Sequence, residues 1–152
     1  MDKTEENMKT QTTQQNKLEK FKINIRLKLA ALWTSLMFLI IYLDYFHLYM
    51  PGSLKDMLAG KVFVFDVSQS FLVAALAMVT IPALMIFLSV ALPAKIDRWA
   101  NIIIATMNIP FLLFNLAGVA WVHMVIGAVI QVVLSGLIIF YAWKWPRHGS
   151  EP

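Results

Sequence analysis

A chain of 152 residues that is 59% hydrophobic and only 14% charged has too little polar surface to coat a soluble domain, where about half apolar and a quarter charged is usual. With no cysteine, it has no disulfide staple, thiolate metal site or thiol redox chemistry. The net charge of +4 does not point to nucleic acid: the cations gather at the ends of apolar runs, where anionic lipid headgroups would meet them, and no nucleic-acid module signature is present.

In chain order, residues 1–17 (MDKTEENMKTQTTQQNK) have almost nothing apolar to bury and read as a disordered polar arm. Residues 18–28 (LEKFKINIRLK) repeat Leu18, Phe21 and Ile25 at helical spacing among Lys17, Lys20, Lys22, Arg26 and Lys28. That pattern predicts a short basic amphipathic helix lying on a membrane surface.

A transmembrane domain is expected over residues 29–146, with a short tail at 147–152. It holds four apolar segments, about 29–49, 68–92, 99–118 and 123–143. Each is near or above the ~20 residues that cross a ~30 Å hydrocarbon core. Backbone groups in lipid must be satisfied internally, so the segments should be helices. The first is too long for a signal peptide, and YMPGS is no small-residue cleavage site, so it reads as an anchor.

Lys and Arg set the orientation. The N-terminal arm, PAKIDR and the C-terminal tail together carry eleven, whereas the first connection carries Lys55 and Lys61 and the third none. Four crossings and both termini in the cytoplasm satisfy this bias. Tyr42, Tyr45, Tyr49 and Trp121 then mark the outer interface, and Trp99, Tyr141, Trp143 and Trp145 the inner one. In the outer connection, SLKDMLAG predicts a short interfacial helix capped by Ser53 and stopped at Gly60, and KVFVFDV an extended stretch. The other connections are short, so consecutive helices should be antiparallel neighbours.

Polar residues inside the apolar runs are the candidate site. Trp33, Met37, Ile40, Asp44 and His47 share one helix face. Asp44 stands roughly 22 Å along its helix at 1.5 Å per residue, near the outer boundary. It reads either as an interfacial carboxylate or as part of a site with His47, since intramembrane ionisable groups are functional suspects. His47, His123, Asp44 and Asp66 are weak candidates for a divalent metal, without a spacing signature. Asn101, Asn108 and Asn115 recur every seven residues, which returns a helix to within ~20° of one direction. Their stripe should face other helices, because an unpaired amide in hydrocarbon costs several kcal/mol. Gly127, Gln131 and Ser135 are spaced by four on the last segment. Asn108 and Gln131 are expected to hydrogen-bond near mid-membrane, as structural glue or as part of a polar track beside a ligand cavity. Pro82 and Pro110 should free the carbonyls of Met78 and Thr106. No nucleotide loop, HExxH or GxSxG is present, which weighs against an enzyme.

The stretches LWTSLMFLIIYLDYFHLYMPG, FLSVALPAKIDRWANII and YAWKWP resemble a family of small uncharacterised bacterial membrane proteins, a domain of unknown function. Tyr42, Asp44, Tyr45, Arg98, Trp99, Asn101, Tyr141 and Trp143 match its pattern. The resemblance implies a four-helix integral membrane protein and supplies no catalytic residue.

The fold expected is all-α: an antiparallel four-helix transmembrane bundle of the cytoplasmic membrane, preceded by the amphipathic helix. The function expected is binding or transport-like handling of a small hydrophobic or amphiphilic molecule, with Asp44, His47, Asn108, Gln131 and Asn115 supplying polar contacts and no cofactor. The alternative is a structural or accessory subunit of a membrane complex. Lipid, a homo-oligomer or a membrane partner protein are the expected partners.

Overall fold

The computed structural model describes residues 23–62, 65–116 and 120–145. The polar arm, the first part of the amphipathic segment at 18–28 and the tail lie outside these residues.

Helix α1, Ile25–His47, runs 23 residues without a glycine or proline. Asn24 caps it, its Oδ1 accepting from Arg26 N at 3.0 Å. Thr34 and Ser35 donate back to the carbonyls of Ala30 and Ala31, so neither hydroxyl is bare in an apolar stretch. Helix α2 is Ser53–Leu58. Its N-cap is Gly52 at φ 92°, and Ser53, the expected cap, is the first helical residue. Gly60 at φ 77° ends the turn after α2, a conformation L side chains disfavour. The extended stretch folds on itself: β1, Lys61–Val62, pairs antiparallel with β2, Phe65–Asp66.

Helix α3, Gln69–Ala91, starts at Ser68, whose Oγ accepts from Phe71 N at 3.1 Å. Helix α4, Ala94–Phe114, follows after Leu92 and Pro93 alone. The PAKIDR segment, expected as a connection, is therefore mostly the first turn of α4. Helix α5 is Val122–Trp143. Pro82 and Pro110 lie inside α3 and α4, which continue through them.

Helix α1 is the centre of the packing, lying along α3 and α5, while α4 lies along α5. Its inward stripe, Leu29, Trp33, Leu36, Met37 and Ile40, forms the core with Met85, Leu112 and Ile138. Gly127 admits α1 closely: a Cβ there would run into the Leu43 side chain. The start of α1, the end of α3, the start of α4 and the end of α5 meet at one end. Arg26 reaches the Val90 carbonyl at 3.1 Å and lies over Trp145, and Arg98 reaches the Trp143 carbonyl at 3.2 Å.

The polarity is inside out. Ser89, Asp97, Asn101, Asn108, Gln131 and Ser135 are buried, while Phe38, Leu76, Phe87, Met107, Val129 and Phe140 are exposed. A soluble domain distributes these types the other way. The molecule is an all-α membrane protein with several long apolar helices. Among the described residues, α1, α3 and α5 are each long and apolar enough to cross a bilayer. Helix α4 has the length, 21 residues, but carries Lys95, Asp97, Arg98, Asn101 and Asn108. Three of these, Asp97, Asn101 and Asn108, face inward, and the surface of α4 still shows Ile96, Trp99, Ile103, Met107 and Phe114.

Candidate functional site

Two polar places lie inside the helices, and they differ in how completely their groups are satisfied. The first is centred on Asn101. Its Oδ1 accepts from Trp33 Nε1 at 2.7 Å and Ser89 Oγ at 3.2 Å, and its Nδ2 donates to Asp97 O at 2.8 Å and Asp97 Oδ1 at 2.6 Å. Two lone pairs and two N–H groups are an amide's full capacity. Asn101 therefore ties α1, α3 and α4 together and keeps nothing for a ligand. The sequence reading missed Asp97 and Ser89 here. The available signals were the one-turn spacing of Asp97 and Asn101, and a tryptophan N–H on the core face of α1 that needs an acceptor.

The second place is unsatisfied. Asn108 is 9% exposed, and its Nδ2 has no partner among the described residues. The Ser135 hydroxyl is fully buried and also unpartnered. Four other helical hydroxyls, on Thr34, Ser35, Thr80 and Thr106, donate to the carbonyl one turn back; Ser135 does not. Counting from the Arg98–Trp143 contact, Asn108 stands ten residues along α4, and ten residues back along α5 is Val133. Gln131 and Ser135, both buried, flank that level. The expected Asn108–Gln131 hydrogen bond is nevertheless not formed: the two amides are brought level but not joined.

An apolar groove of about 250 Å³ runs between the same two helices toward their other ends. Leu113, Leu116, Val125, Ala128, Val129, Val132 and Val133 line it. Val133, level with Asn108 by the same count, is one of these residues, whereas Asn108, Gln131 and Ser135 are not.

The remaining candidates lie apart. Asp44 is exposed, turned off the buried stripe of α1, though within electrostatic reach of His47 one turn on. His47 is half-buried. His123 packs edge-on against Trp121, with ring centroids 6.2 Å apart. Asp66 is exposed on β2. Among the described residues no three histidine, aspartate or glutamate side chains converge, so His47 and His123 are not completed into a metal site. Asn115 is exposed at the C-cap of α4. The stripe of three amides thus has two buried members.

A family model described as a family of unknown function, DUF6326, matches residues 17–150. No curated protein and no solved structure matches the chain.

Proposed function

The chain belongs to this family of unknown function, and we propose that it is a non-catalytic, four-crossing membrane protein that binds a small hydrophobic or amphiphilic molecule between α4 and α5. In this reading the four long helices form an antiparallel bundle in the cytoplasmic membrane, with both termini cytoplasmic. Helix α4 crosses because its amides and carboxylate face its neighbours rather than lipid. The apolar part of the ligand lies in the groove and its polar group reaches Asn108, Gln131 and Ser135.

The observation that carries the proposal is the unpartnered, buried Nδ2 of Asn108, on the same pair of helices that holds the apolar groove. Leaving such a donor unmet costs about 1–3 kcal/mol, and a ligand acceptor removes that cost. Asp44, His47 and Asn115 remain a separate polar region at the other end of the helices.

The test is native mass spectrometry of the full chain extracted in mild detergent. A co-purifying small molecule is expected on the wild type and lost from Val129→Trp, which fills the groove, and from Asn108→Leu. Retention of the same adduct by both variants would overturn the proposal. The second reading, a ligand-free accessory subunit, draws on the saturated Asn101 cross-link and on the half of α3 before Pro82, where no residue is buried. An adduct-free chain that co-migrates with another membrane protein would favour it.

A further inference from the structure

Around the last turn of α5 the helix ends bring together Arg26 and Lys28 from α1, Lys95 and Arg98 from α4, and Lys144 beyond α5. Four of the five sit over aromatic rings: Arg26 over Trp145 at 5.7 Å, Lys28 over Tyr141 at 5.4 Å, Lys144 over Phe140 at 4.5 Å, and Arg98 over both Trp143 at 5.8 Å and Trp99 at 6.0 Å. The carboxylate among the described residues at this end, Asp97, is fully buried and has one oxygen engaged by Asn101. Among the described residues the rim is thus a cationic surface whose one carboxylate, within electrostatic reach of Arg26, is buried.

Arg98 has two aromatic contacts and a backbone hydrogen bond. Two indoles hold the guanidinium and one N–H₂ group donates to the Trp143 carbonyl, yet Nε is buried without an acceptor among the described residues. With Nε buried and one N–H₂ group partly engaged, the guanidinium's remaining N–H groups can donate to an oxyanion such as a phosphate. The surroundings select which phosphate. Ile96, Trp99 and Trp143 are half-exposed beside Arg98, and such apolar and indole surfaces at a helix end mark the bilayer interface. We propose that Arg98, with Lys144 beside it, binds the phosphodiester headgroup of an acidic phospholipid whose acyl chains lie along α4 and α5. The site rests on the membrane-crossing reading and is independent of the Asn108 ligand.

The full chain in non-ionic detergent is titrated with dioleoylphosphatidylglycerol or dioleoylphosphatidylcholine, and retained lipid is counted by native mass spectrometry. The wild type should retain the acidic lipid over the zwitterionic one by roughly fivefold, the scale of one interfacial cation. Arg98→Gln should bring that ratio near one, and Lys55→Gln, at the opposite end, should leave it unchanged. Where Arg98→Gln does not insert, Lys144→Gln is read in its place and must lower the ratio. Equal retention of both lipids by the wild type, or an undiminished ratio in the rim variant, overturns the site. Displacement of the acidic lipid by an equal concentration of inorganic phosphate also overturns it, by showing a free-anion site. Flotation with pure phosphatidylcholine vesicles tests insertion separately: a chain that does not float sinks the membrane reading itself.

Discussion

Asn101 and Asn108 are the same side chain, seven residues apart on one helix face, and they have opposite consequences. Asn101 fills its hydrogen-bonding capacity across three helices, so Asn101→Leu should orphan Trp33 Nε1 and Asp97 Oδ1 and lower the unfolding temperature in detergent. A cycle with Trp33→Phe should show coupling of about 0.5–3 kcal/mol, as expected for direct partners; simple additivity would mean the hydrogen bond contributes nothing. Asn108→Leu should be neutral or stabilising in ligand-free protein, because it deletes a buried donor with no partner. A marked loss of stability there would reveal a structural partner and remove the basis of the ligand site. The seven-residue spacing was enough to place both amides inward. It could not tell a spent amide from an unspent one, since that depends on Trp33 and Ser89, distant in sequence. Asn115, at the C-cap, is exposed although it keeps helical backbone angles, so the spacing placed it in register but did not show that the neighbouring helices leave it uncovered.

Among the helices, the apolar runs of α1, α3 and α5 were legible because lipid and core both demand apolar residues over a full crossing. The start of α4 was not. Lys95, Asp97 and Arg98 look like a loop, yet the helix begins at Ala94 and turns Asp97 inward to Asn101. Periodicity near a charged boundary does not say which charge faces in. The seam between α1 and α5 was half legible: Gly127 reads as a close-packing residue, but only the fold shows that it packs against Leu43 of the same chain. Gly127→Ala should therefore fail to give the gain of about 1 kcal/mol that Gly→Ala brings inside a helix, because the new methyl must displace the Leu43 side chain. In a Leu43→Ala background the same substitution should recover that gain, because the volume the new methyl needs is empty. If the double variant is worse than the sum of the two, the contact is not the cause.

Charge is divided between the two ends of the molecule. Among the described residues, Arg26, Lys28, Lys95, Arg98 and Lys144 stand with one buried carboxylate at the rim where α1 and α4 begin, whereas Lys55 and Lys61 share the other end with Asp44, Asp56 and Asp66. Translocating five cations is far less favourable than translocating two, so the rim should stay in the cytoplasm. Because the chain has no cysteine, single cysteines can report this without a background to remove. Ser53→Cys, in the first turn of α2, should react with a membrane-impermeant maleimide on intact cells. Lys95→Cys, in the first turn of α4, should react only after the membrane is opened. Both positions are exposed or half-exposed, so burial does not decide the outcome. The reverse pattern would invert the molecule and put the Arg98 site in the outer leaflet. Labelling of both from outside would mean that α1 and α3 do not carry the chain across and back, and the four-crossing arrangement would fail with them.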